Sequence, residues 1–276
     1  MNGSTLSSKK ELIQSHVQMP KCILKCFEAK GKFFYYDIVK NYVGTDGKAH
    51  SFNTKFGFYS KETEDFLSGF VETPFGKIKE DILKNSWDSQ GTIDSCFEAK
   101  AKLFVYALSS RNPDSIQRIA NLFFIPEGLT SQESHELGLM IGLASLTLDN
   151  PLNEYGVTVA VNRTTIPFVL PMCGLYFVKY NGFEHAVFPV LPGKAIVFIE
   201  EAGKSTIIHD GIVHPYLISD PQFIESLNKC AVKTQCAIGN GYVVSPDKDA
   251  LENALGNKLS SNSATSCREE KRNGPL

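Results

Sequence analysis

Glu184-His185-Ala186-Val187-Phe188-Pro189-Val190-Leu191-Pro192-Gly193-Lys194-Ala195-Ile196-Val197-Phe198-Ile199-Glu200-Glu201 is the stretch on which the fold turns. Two runs of β-branched and aromatic residues flank Pro192-Gly193, a turn signal, so the stretch reads as a β-hairpin. Working outward, the same composition recurs in short blocks over 155–161, 165–170, 175–180 and 205–209, with Asn181-Gly182 as a second turn. The sequence therefore predicts a meander of antiparallel strands after Asp149-Asn150-Pro151.

Upstream the periodicity changes. Residues 11–43 read as helical with a break at Pro20, 44–47 as a turn, and 51–59 as a short strand. Residues 61–84 read as a helix interrupted near Pro74 and Gly76. Further helices are expected from Cys96 to about Ser110, over 114–123 and over 131–147. Helices first and strands afterwards is an α+β plan. It divides the chain into a mostly helical region over 1–84, a core over 85–246 and a polar tail over 247–276 expected to be disordered.

Composition narrows the functional classes. The 276 residues carry a net charge of -2, with 42% apolar and 21% charged residues, which is an ordinary globular balance with no basic stripe for nucleic acid. The longest apolar run, 137–148, is too short to span a bilayer, and Met1 to Lys10 lack the apolar core of a secretory signal. Seven cysteines make an odd count at spacings that suggest no disulfide ladder. Cys22 and Cys26 stand four apart without a second ligand pair, so no metal or cofactor is expected. These features predict a reduced, cytoplasmic protein.

The chemistry centres on Gln90-Gly91-Thr92-Ile93-Asp94-Ser95-Cys96-Phe97-Glu98. Ser95 and Glu98 match a capping box, which puts Cys96 at the start of a helix. There the macrodipole and unpaired N–H groups favour a thiolate. Gln90 is a candidate oxyanion donor beside the Cys96 N–H. Cys26 sits in a near-repeat, Cys26-Phe27-Glu28-Ala29-Lys30-Gly31-Lys32, but lacks the capping Ser. A thiolate nucleophile needs an imidazole, and the imidazole an orienting acceptor. His185, at the start of the hairpin, and Glu200 or Glu201, at its end, are the candidates. His135, His209 and His214 read as structural.

These residues resemble the papain-like cysteine protease family. Gln90-Gly91, then Ser95-Cys96-Phe97, is similar to the family's active-site segment, and His185-Ala186-Val187 to its histidine segment, with Glu201 where the family has Asn. The resemblance implies a papain-like fold and amide chemistry on a protein substrate. Cys96 would be the nucleophile, His185 the base, Glu201 the orienter and Gln90 the oxyanion donor; hydrolysis, deamidation and transamidation all use these groups. The sequence departs from the family pattern at Ile93-Asp94, at Phe97 and at Glu201-Ala202-Gly203-Lys204. The Ser-rich end, 260–266 followed by Arg268-Glu269-Glu270-Lys271, resembles the C-terminal signals of bacterial type IV secretion effectors and implies delivery into a host cell. Two other readings stand beside this one: a non-catalytic protein-binding module, and a cupin-like metal oxygenase built on His185, His209 and His214.

Overall fold

The computed structural model describes residues 14–56, 58–84, 87, 95–111, 128–148, 151–209 and 212–256. The architecture is mixed α and β. At its centre is a five-stranded sheet built from β5 (Gly156–Asn162), β7 (Tyr176–Tyr180), β8 (Phe183–Leu191), β9 (Lys194–Ile199) and β12 (Tyr216–Ile218). Its order is β12-β5-β9-β8-β7, parallel between β12 and β5 and antiparallel elsewhere. The β8–β9 hairpin forms as the sequence predicts, with His185 opposite Ile199 and Val187 opposite Val197.

Side chains alternate across the sheet, and each face has its own cover. Val157, Val159, Ala186, Phe188, Ile196 and Phe198 face α4 (Ser95–Ser110), which buries Phe97, Ala101, Phe104 and Leu108 in the same cluster. Phe104 meets Phe188 edge-on at 5.7 Å. α3 (Thr73–Lys84) and α5 (Ser131–Leu148) pack beside α4 on this side. Ala160, Val187, Ala195, Val197 and Ile199 face the other way, onto Ile224, Leu227 and Ala231 of α6 (Pro221–Ile238). Each large apolar side chain so buried contributes about 1.5–3 kcal/mol.

The prediction for 11–43 is overturned. This region forms β1 (Gln14–His16), a single helical turn α1 (Lys21–Leu24), β2 (Phe33–Asp37) and β3 (Tyr42–Gly47). Lys30, Gly31 and Asn41 take positive φ and set the reversals that a helix would forbid. β2 and β3 join β13 (Tyr242–Ser245) and β6 (Leu170–Pro171) in a second sheet, ordered β3-β2-β13-β6. β4 (Thr54–Phe56) pairs with β1, and α2 (Lys61–Leu67) runs through a π-turn over 68–72 into α3.

Four other expectations change, the first being the turn over 44–47, which lies inside β3. Of the strand over 165–170 only Leu170 joins a ladder, because the backbone before it is bonded by side chains instead. Asn228 accepts from Val169 N–H at 3.0 Å and donates to Pro167 O at 2.9 Å. Of 205–209, the first two residues end a 3₁₀ turn over 201–206 and only Ile208 and His209 form a strand, β10 (Ile208–His209), which pairs with β11 (Ile212–Val213). The tail opens with a helix, α7 (Lys248–Leu255), capped by Asp247 and burying Leu251 and Leu255. The expected helix over 114–123 and the remainder of the tail, 257–276, lie outside the described residues.

Candidate functional site

His185 is where β8 begins to pair with β9 and, by alternation, shares a face with Val187, Val178 and Ile199, the face covered by α6. The residue is 3% exposed. Nδ1 lies 3.0 Å from Phe183 O, and a carbonyl can only accept, so Nδ1 carries the proton. Nε2 lies 3.2 Å from the Tyr216 hydroxyl, a group able to donate to the bare nitrogen of a neutral imidazole. Burial lowers the His185 pKa, against smaller raising effects of the Phe183 carbonyl and Glu200.

Around this pair opens a pocket of about 320 Å³ lined by Tyr180, His185, Val187, Tyr216, Phe223 and Leu227, among others. Tyr180 meets Phe223 at 5.1 Å and His185 at 6.0 Å, both ring to ring. The strands and α6 supply these walls together. β7 brings Tyr180 two residues beyond Val178, β12 brings Tyr216, and α6 brings Phe223 in its first turn. Asp220 holds that turn by accepting from Gln222 N–H at 2.9 Å, with Pro221 at the first helical position. The pocket is apolar with His185, Tyr216 and Asp220 at its polar points, and its volume lies at the small end of small-molecule sites.

The other sequence candidates do not converge there. Cys96 lies in the first turn of α4, a helix packed on the opposite face of the sheet. Its thiol is exposed, whereas Cys22, Cys26, Cys173, Cys230 and Cys236 are partly covered. Burial pushes Cys22 and Cys173 up to about 12, which makes them inert by comparison. Glu98 forms an ion pair one turn on with Lys102, at 2.7 Å. The helix begins at Ser95, one residue earlier than the capping reading places it. Neither ring nitrogen of His185 bonds to Cys96; both are taken by Phe183 and Tyr216.

The orienting role read into Glu201 falls to a different acceptor. The chain turns after Ile199 into the 3₁₀ segment, so Glu201 faces solvent and pairs with Lys204. Glu200, the nearer carboxylate, accepts from Glu184 N–H at 2.8 Å and acts on His185 only through space. Gln90 lies outside the described residues.

Among the described residues no group of three or more His, Cys, Asp and Glu is placed to hold a metal ion. His214 belongs to the backbone traffic of the sheet, its N–H donating to Ile207 O at 2.7 Å and its carbonyl accepting from Thr158 Oγ1 at 2.7 Å. The His209 side chain lies outside what the structure describes. His135 stacks edge-on against Phe58 at 5.1 Å. No helix among the described residues is long and apolar enough to cross a membrane.

Sequence reasoning found His185 and missed the rest of its pocket. Tyr216 reaches it through a parallel pairing with β5, 56 positions apart in the Tyr216↔Ala160 register, and no local spacing signals such a contact. Asp220-Pro221 was the one available signal, a helix start that brings Phe223 under the sheet. Comparison with protein-family models, curated proteins and solved structures finds no match for this chain.

Proposed function

We propose that the chain is a ligand-binding module whose site is the His185 pocket, taking a small, mostly apolar group that carries one hydrogen-bonding function. The observation that carries this reading is the buried His185 with its Nε2 and the Tyr216 hydroxyl at the wall of a cavity lined mostly by aliphatic side chains, with Tyr180 and Phe223 beside them. Aromatic rings grip an apolar body, and the imidazole–phenol pair fixes one polar atom. A side chain of a partner protein and a free small molecule both have this chemistry.

p-Cresol tests it. Titrated into the protein and followed by NMR, it should give saturable shifts confined to the pocket. Leu227→Trp, which fills the cavity, should abolish them, and His185→Phe should weaken binding about tenfold, the scale of one hydrogen bond to a buried polar group. Shifts that are absent, or that persist in Leu227→Trp, contradict the proposal.

A second reading, thiol acyl transfer in a papain-like fold, keeps one observation in its favour: Cys96 is an exposed thiol in the first turn of a 16-residue helix. It requires an imidazole on the α4 side of the sheet. An electrophilic peptide probe that labels Cys96 and loses that selectivity in His185→Ala would favour it; labelling unaffected by His185→Ala would remove it.

A further inference from the structure

Arg111 closes the α4 segment, its N–H donating to Leu108 O at 3.1 Å, and its side chain turns inward until the residue is only 1% exposed. Nη2 donates to His16 O at 2.8 Å, and the guanidinium lies over the Tyr59 ring, 5.9 Å from its centroid. Among the described residues Nε and Nη1 have no well-formed hydrogen bond, and the buried Tyr59 hydroxyl has Arg111 itself as its hydrogen-bonding neighbour. Nη2 carries two hydrogens and His16 takes one, so one edge of the guanidinium keeps two parallel N–H donors. Burying a guanidinium without a contacting acceptor is strongly unfavourable, and buried charges in folded proteins are paired.

The carboxylates nearby do not complete it. Glu64 and Glu72 act on the neighbouring His16 through space, and one oxygen of Glu64 is itself without a partner. Glu136 accepts from Ser60 N–H and from Gln132 at 3.1 Å. The His16 imidazole is turned away, donating through Nε2 to Ala49 O at 2.8 Å. Beside Tyr59 the guanidinium and the phenol stand as donors, with Glu64 and Glu136 acting on the phenol only through space.

We propose that Arg111 and the Tyr59 hydroxyl form a binding site for a small oxyanion, a carboxylate or a phosphate. The planar N–H pair matches two oxygens of either group, and the phenol supplies a third donor. The site is separate from the His185 pocket and stands or falls without it.

The experiment uses the full chain. Thermal unfolding and calorimetric titration are run with sodium phosphate and with sodium acetate, against sodium chloride at matched ionic strength, at pH 7. A midpoint that climbs with the logarithm of phosphate or acetate concentration, and not with chloride, is the expected result, and the ion that acts identifies the source. Arg111→Lys should weaken binding at least tenfold and Tyr59→Phe several-fold. Glu64→Gln, which removes a repelling charge, should tighten it. Arg111→Met should lose the anion response while unfolding cooperatively in chloride; should that variant not fold, the other three carry the test. No response beyond chloride overturns the proposal. So does a response unchanged in Arg111→Lys, or a Glu64→Gln variant that is destabilised and binds no anion, the signature of an internal Arg111–Glu64 pair.

Discussion

His185 donates from Nδ1 to a backbone carbonyl and sets Nε2 3.2 Å from the Tyr216 hydroxyl, which can donate to it when the ring is neutral. Burial holds its pKa below the usual 6.5, and burial does the same to His16. The folded state therefore resists protonation that the unfolded chain accepts, so stability is full above about pH 6.5 and falls as pH drops from there towards the folded pKa values. Urea unfolding between pH 8 and pH 5 should show this decline. His185→Gln, which no longer titrates, should flatten it in part, with His16 accounting for the remainder. A profile unchanged by His185→Gln would mean that the ring is not held neutral. His185 itself was legible in the sequence, because a histidine opening a strong hairpin is conspicuous. Its proper acceptor was not, since Phe183 O belongs to the backbone and leaves no trace in residue identity.

Elements with similar letters fold differently here, and the reason is local. Cys26-Phe27-Glu28-Ala29-Lys30-Gly31 nearly repeats Cys96-Phe97-Glu98-Ala99-Lys100-Ala101. The first copy leaves a 3₁₀ turn for a tight reversal, with Ala29 bridging Lys32 and Gly31 at φ +77. The second continues as α4, where Ala101 is fully buried. Gly31, free to take positive φ, favours the reversal in the first copy, where Lys30 takes positive φ as well. α4 was legible from its capping pattern, α5 from a long apolar stretch without Pro, and the β8–β9 hairpin from two apolar runs flanking Pro192-Gly193. The 165–170 segment forms no full strand because its hydrogen bonds go to the side chains of Asn228, Asn162 and Thr164 and to Pro192 O. Asn228→Ala should strand two buried backbone groups and destabilise the protein by about 2 kcal/mol or more. Denaturant titration checks this, and a loss under about 0.5 kcal/mol would show that the amide is dispensable.

At the scale of the molecule, the second sheet ties the two ends of the described chain together. Tyr36 of β2 pairs with Val243 of β13, and both join Leu251 of α7 in one apolar cluster. Residues on both sides of position 84 share the other cluster, from Met19 and Phe33 through Phe104 to Val244. The sequence division at 84 and 246 therefore cuts through packed core. A fragment spanning 85–246 should show no cooperative thermal transition by circular dichroism, whereas a cooperative melt would restore the division. The five-stranded sheet sets the larger consequence. It stands between α4, which carries Cys96, and the α6 side, where His185 lies in its pocket, so thiol and imidazole act independently. The most direct test is a ¹⁵N NMR titration of the His185 ring before and after alkylation of Cys96. The expected result is an Nδ1–H tautomer with a midpoint below 6.5, unmoved by alkylation. A midpoint raised above the usual histidine value that falls once Cys96 is alkylated would reveal a thiolate–imidazolium pair and contradict the account.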